Sequence, residues 1–277
     1  MKHIQWFPGH MTKAMRMMED NLKLVDGIII ILDARAPYAC VNPKLDKLFA
    51  SKPTLYVLNK SDLVEKADTQ RVISSFKQNG KTAVSVVATD KRTVNFLYNK
   101  IFDMLKEKLE NNKKKGVFKP MRIMVSGIPN TGKSTIINTF CGQKKAVTGD
   151  KAGVTKGKQW IRLNELELLD TPGTMPPSFE NQTFAKHLAY IGSINDDILD
   201  FEELTDEFIL ELAKEKPQVL TEKYGITEFD LSAEEFREII CRKRGYLLKG
   251  GIIDTERYSK AVIDEFRKGR LGKICLE

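Results

Sequence analysis

Eight consecutive residues, Gly127-Ile128-Pro129-Asn130-Thr131-Gly132-Lys133-Ser134, have the types and spacing needed to hold a chain of phosphates. The glycines let backbone N–H groups wrap an anion, and a helix opening at Lys133 adds the partial positive charge of its N-terminus. In that arrangement Lys133 is expected to reach the β and γ phosphates and Ser134 to ligate magnesium, with Asn130, Thr131, Gly132 and Thr135 completing the cradle. Downstream, Asp170-Thr171-Pro172-Gly173 closes an apolar run. A carboxylate there holds magnesium through water, and the Gly173 N–H senses the γ phosphate. Between the two, Thr155 in Gly153-Val154-Thr155 sits in a lysine-rich loop, where a threonine completes the magnesium shell in the triphosphate state.

A third string, Asn59-Lys60-Ser61-Asp62, reads a base. An aspartate accepts two hydrogen bonds from N1–H and the 2-amino group of guanine, and adenine offers neither, so the wrong base would leave a carboxylate unpaired. Asn59 is expected to hold the loop and approach N7, with the stem of Lys60 along the ring face. The second base-contacting loop should read roughly Ser-Ala-Lys; the nearest string is Val87-Ala88-Thr89, from which Ala88 alone carries over. The base-reading string precedes the phosphate loop, the reverse of ordinary GTPases. The order implies a circularly permuted GTPase domain acting on GTP.

Those loops need strands and helices behind them. Residues 27–32, 54–58 and 82–87 are apolar runs suited to strands buried on both faces, and helical patterns near 43–50, 68–79 and 92–110 separate or follow them. Alternation of this kind predicts an α/β fold with a parallel sheet. Met11, Met15, Met18, Leu22 and Val25 place an apolar stripe on a helix over 12–25, expected to be core packing rather than a site. Residues 111–116 read as a polar, positively charged connector. A second strand group follows at 122–126, 159–163 and 166–169, the last two around an Asn164-Glu165 turn. Beyond about residue 179 the pattern is helical, near 180–192, 204–215, 232–244 and 255–268. The expected division is a permuted GTPase domain over 1–178 and a helical, RNA-binding domain over 179–277.

The net charge is +8, unevenly spread. Residues 196–215 hold nine acids against Lys214 alone, so the rest of the chain carries +16, and residues 241–277 hold ten bases against five acids. A polyanionic partner, most simply nucleic acid, follows from such a surface. Cys40, Cys141, Cys241 and Cys275 are too scattered for zinc and read as free, buried thiols in a reducing cytoplasm. No apolar run is long enough to span a bilayer, which predicts no membrane partner.

The whole chain resembles the ribosome biogenesis GTPase A family of circularly permuted bacterial GTPases. The similarity is carried by Ile4-Gln5-Trp6-Phe7-Pro8-Gly9-His10-Met11, by Asp33-Ala34-Arg35, and by Lys243-Arg244-Gly245 followed by Gly250-Gly251. It implies a monomeric factor in late assembly of the large ribosomal subunit, docking in the GTP state on the immature particle and its rRNA and leaving after hydrolysis to GDP. Ordinary GTPases place a catalytic glutamine after D-x-x-G; Thr174 stands there in this chain, and the resemblance assigns water positioning to His10, which imidazole chemistry suits near neutral pH. Asn130 resembles the asparagine with which cation-dependent GTPases coordinate potassium. Residues 149–153 carry Ala152 where proline is common, a change that loosens the loop locally. Two rivals share parts of the pattern: a nucleoside kinase or ATPase using the same phosphate loop, which Asp62 opposes, and a GTP-regulated module for a protein or membrane surface.

Overall fold

The computed structural model describes residues 4–5, 9–142, 159–176 and 179–277, with His10 described in its backbone only. Six strands form one sheet in the order β3-β2-β1-β4-β6-β5. β1 (Gly27–Asp33), β2 (Thr54–Asn59), β3 (Thr82–Ser85), β4 (Met121–Ser126) and β6 (Leu166–Asp170) run parallel, and β5 (Gln159–Leu163) is an antiparallel edge strand. The apolar run of β1 puts it at the centre. Its residues alternate between two cores, Ile28, Ile30 and Leu32 on one face and Ile29 and Ile31 on the other. Each such side chain, fully buried, contributes about 1.5–3 kcal/mol, so a one-residue slip in register would be costly on both faces.

The second face is covered by α4 (Lys91–Met104) and α6 (Lys133–Cys141), through Leu97, Ile101, Ile136 and Ile137. The first is covered by α1 (Gly9–Leu22), α2 (Pro43–Phe49) and α3 (Lys66–Gln78). Met11 and Met18 are wholly buried there, so the methionine stripe is core. The same cluster runs on without a break into α7 (Gln182–Tyr190), α8 (Phe201–Glu215), α9 (Pro217–Tyr224), α10 (Ala233–Arg244) and α11 (Thr255–Arg267). The expected boundary at 178 falls outside the described residues.

Several expectations need adjusting. Residues 92–110 are not one helix: α4 stops at Leu105 (φ −101°, ψ 7°) and α5 (Lys106–Lys114) follows. α5 takes in most of the stretch expected as an open connector, since its lysines and two glutamates are good helix formers, and the real stop is Gly116 at φ 64°. α9 was not anticipated; Pro217 starts it and Gly225, at φ 65°, ends it, leaving too few residues for a clear period. Cys141 is only half-buried, although all four cysteines are free.

The acidic stretch is structural. Glu202 and Asp206 pair with Arg237, Glu207 with Lys186, and Asp196 with Arg267, tying α8 and the turn before it to α7, α10 and α11. His187 on α7 lies between Glu211 and Glu277, at 2.6 and 2.8 Å. The Glu277 carboxylate also accepts from the backbone N–H of Tyr38 and Ala39, joining the helical part to the loop after β1. Burial alone would push the imidazole down, but the two carboxylates outweigh it and raise its pKa to about 9.

Candidate active site

Because β1, β2, β3, β4 and β6 are parallel, the loops leaving their C-terminal ends share one edge of the sheet, the place where such folds bind ligands. The phosphate loop leaves β4 there. Its backbone reaches positive φ at Gly127 (144°), Asn130 (61°) and Gly132 (93°), which turns the chain sharply before α6 starts at Lys133. Space is as strict as conformation: a Cβ on Gly127 would lie 2.4 Å from the Ile31 carbonyl oxygen, and one on Gly173 would lie 2.6 Å from the Pro129 nitrogen. The Gly173 segment and the phosphate loop therefore pack backbone on backbone.

Lys133 is buried and donates to the carbonyls of Ile128 (2.7 Å) and Gly127 (3.2 Å). Burial pushes its pKa down to about 8, only partly offset by the Asp170 carboxylate. Asp170 shows the converse: burial pushes it up to about 6 against the pull of Lys133. Asp170 Oδ1 is buried with no hydrogen-bond donor, as is the hydroxyl of Thr174, whereas Thr171 donates to the Val125 carbonyl at 2.8 Å. A buried, undonated carboxylate oxygen beside a lysine, with the Ser134 hydroxyl in the first turn of α6, is an oxygen donor set that fits a hard divalent cation. Thr131 is buried and donates to the Ile128 carbonyl; Thr135 lies partly buried one residue beyond Ser134. Thr155 lies outside the described residues.

The base-reading loop leaves β2 and lands on the phosphate loop. Asn59 donates through Nδ2 to the Thr131 carbonyl (2.7 Å) and accepts through Oδ1 from the Ala88 N–H (2.9 Å), stitching three loops with one buried amide. A Cβ on Gly132 would sit 2.2 Å from that same Nδ2. Lys60, at φ 59°, donates to the Asn130 carbonyl at 2.9 Å and pairs with Asp33 at 2.8 Å. Ser61 donates to the Val86 carbonyl, and Asp62 stands exposed in the turn Ser61–Leu63.

His10 lies in the first turn of α1. Its neighbour Met11 accepts through Sδ from the Met175 N–H at 3.4 Å, which brings the start of α1 alongside the residue after Thr174.

Four residues at this edge receive no role in the site from the sequence, although Asp33 and Arg35 belong to a string that carries the family resemblance. Asp33, at the end of β1, is buried; that alone would raise its pKa, but Arg35 and Lys60 hold it well below the usual carboxylate range. Arg35 grips it at 2.7 and 2.9 Å, donates to the carbonyls of Phe266 and Arg267, and stacks over the Phe266 ring. The available signal was an acid ending an apolar parallel strand, the same signal that marked Asp170. Gly192 and Ser193 gave none. Asn130 Nδ2 donates to the Gly192 carbonyl at 2.6 Å and Ser193 Oγ to the Pro129 carbonyl at 2.8 Å, with partners more than sixty residues apart.

Known proteins resemble this chain in sequence and in fold. A family model described as "50S ribosome-binding GTPase" matches residues 122–236. Ribosome biogenesis GTPase A of Bacillus cereus is 39% identical over 99% of this chain and 93% of its own length. The chain belongs to the ribosome biogenesis GTPase A family. The family member from Thermotoga maritima is 34% identical over 99% of this chain and 94% of its own. The solved structure described as GNP-bound YlqF from T. maritima matches with a TM-score of 0.67 at 29% identity, covering 96% of this chain and 97% of that one. The GDP-bound form matches at the same TM-score. As a member of the ribosome biogenesis GTPase A family the protein binds GTP and is a GTP-hydrolysing enzyme, with a P-loop GTPase fold and a helical C-terminal region.

Proposed function

We propose that this protein is an assembly factor for the large ribosomal subunit that docks on the immature particle in the GTP state and leaves after particle-stimulated hydrolysis. The observation that carries the nucleotide part is the convergence of Asn59 and Lys60 on the carbonyls of Thr131 and Asn130, which makes base reader and phosphate cradle one site. In it Asn59, Lys60, Asp62 and Ala88 serve the base, and Asn130, Thr131, Gly132, Lys133, Ser134, Thr135 and Gly173 serve the phosphates. Ser134, Thr155 and Asp170 would hold magnesium, which neutralises phosphate charge when bound. Asn130 would serve potassium, and its side-chain nitrogen holds the Gly192 carbonyl. His10 would position the water, consistent with the approach of Met11 to Met175.

The ribosomal part rests on the family and on charge. Among the ten bases of residues 241–277, Arg242, Arg244, Lys260, Arg267, Lys268 and Arg270 are bound to acids. Lys243 and Lys249 form no ion pair with a described residue, and Arg257 lies over the Tyr246 ring. With Lys273, which is exposed and likewise forms no ion pair with a described residue, these are the cations open to RNA phosphates. We read the protein as a cytoplasmic, monomeric factor; among the described residues no helix is long and apolar enough to cross a membrane. Co-sedimentation of the Lys243→Glu, Lys249→Glu variant with immature large subunits over a salt series tests the reading. Weakened binding and a shallower salt slope are expected, with GTP affinity unchanged; wild-type association would refute it.

A further inference from the structure

A second cationic surface lies at the opposite end of the sheet. Residues 113–119 are all exposed and include Lys113, Lys114, Lys115 and Lys119, none of which forms an ion pair with a described residue. In their midst Phe118 is 88% exposed, the most exposed of the large hydrophobic side chains described, and Val117 beside it is 40% exposed. Single apolar residues on a surface are ordinary. An aromatic ring standing almost free of the protein, bracketed in sequence by unpaired cations, is a different matter.

The segment is also held in place. α5 ends in a Schellman arrangement: the Gly116 N–H donates to the Lys113 carbonyl at 3.0 Å and the Val117 N–H to the Asn112 carbonyl at 2.9 Å. Two residues after Phe118, Pro120 leads into β4, whose Met121 N–H is tied to the Glu165 carbonyl. The ring and lysines are thus presented from a fixed helix end and a fixed strand start, and ordering them on a partner costs little. The acids nearby are Glu107 and Glu110, earlier on α5, and Glu165; they leave the 113–119 surface positive.

We infer that Phe118, with Lys113, Lys114, Lys115 and Lys119, forms a stacking platform for an unpaired RNA nucleotide. An aromatic face accepts any base, and cations around it neutralise the flanking phosphates, which is the chemistry by which proteins bind single-stranded nucleic acid without reading sequence. The platform precedes β4 whereas the nucleotide loops follow it, so the two lie a strand length apart, roughly 20 Å. RNA bound there leaves the GTP site open. This contact rests on the reading of the protein as an RNA-binding assembly factor and adds a second footprint to that of the C-terminal cations.

The test uses the whole protein and two probes, an oligoadenylate of about ten nucleotides and an abasic oligomer of equal length. Phe118→Ala should weaken oligoadenylate binding roughly 5- to 100-fold, leave abasic binding as it was, and leave GTP affinity unchanged, since the ring supports no core. Phe118→Trp should restore binding, with fluorescence quenched by oligoadenylate and not by the abasic oligomer. Lys114→Glu with Lys115→Glu should weaken both probes and flatten the salt dependence. Unchanged oligoadenylate affinity in Phe118→Ala, or equal wild-type affinity for the two probes, would overturn the platform. A wild-type protein that shows the stacking response yet fails to sediment with immature large subunits would overturn the assembly reading instead. Normal sedimentation without any Phe118 response would remove the platform alone.

Discussion

Asn130 in the phosphate loop donates its side-chain amide to the carbonyl of Gly192, in the turn that follows α7. With Ser193 bonded to Pro129 next door, two hydrogen bonds fasten the cradle to the helices. A shift of the loop on loss of the γ phosphate would reach the helical part directly through this turn. Ser193→Ala removes one buried bond, worth about 1 kcal/mol, and should leave GTP affinity within a few-fold. The ratio of particle affinity in the GTP and GDP states should shrink by roughly five-fold, the same energy expressed as a ratio. Sedimentation in each state measures it, and an unchanged ratio would show that this turn carries no coupling.

Base choice should depend on Asp62. Replacement by asparagine exchanges an acceptor for a mixed donor and acceptor, and guanine loses at least one charge-assisted bond. The preference for GTP over ATP should fall tens to hundreds-fold, about 2–3 kcal/mol. Competition binding with the two nucleotides reads this directly, and full selectivity in the variant would remove Asp62 from the base site.

His10 should matter to turnover and not to affinity. Thr174 is buried with its hydroxyl unbonded, too short to accept from water and donate to phosphate in one geometry. His10→Ala is expected to lower particle-stimulated hydrolysis roughly 10- to 1000-fold while GTP affinity stays within a few-fold, the mark of lost transition-state stabilisation. Wild-type stimulated rates in a variant that binds particles normally would return water positioning to Thr174, to a cation or to RNA.

Stability should fall in mild alkali because of His187. Its folded pKa is raised to about 9 by Glu211 and Glu277, above the unfolded value of 6.5. The contribution is therefore fully present below pH 6.5 and is lost as pH rises through 9, and it is on the order of a few kcal/mol. Thermal melts across that range should show a decline that is flattened in His187→Gln. Parallel pH profiles for the two proteins would contradict the role of this cluster.

Much of the site was legible because its signals are local. The strand before each loop announces itself by a run of buried aliphatics, and glycine spacing in 127–134 follows from the positive φ that the turn requires. What stayed hidden depends on distant parts of the chain. Glu277 meets Tyr38 and His187 across 239 and 90 residues, and nothing near any of them in sequence marks the meeting. Arg244 looked like an RNA contact from composition, yet it is committed to Glu265, a pairing set by how α10 crosses α11. Residues 111–116 looked like a loop because their side chains are polar, although polarity only says that a helix there faces water.

The claim at the centre is that the nucleotide state governs docking on the immature large subunit. Sedimentation of the wild-type protein with those particles should be measured with a non-hydrolysable GTP analogue, with GDP and without nucleotide, at one fixed salt concentration. The account predicts association with the analogue and at least about ten-fold weaker association with GDP, a state difference of about 1.4 kcal/mol. Equal association in the GTP-analogue and GDP states, or association with neither, would contradict it.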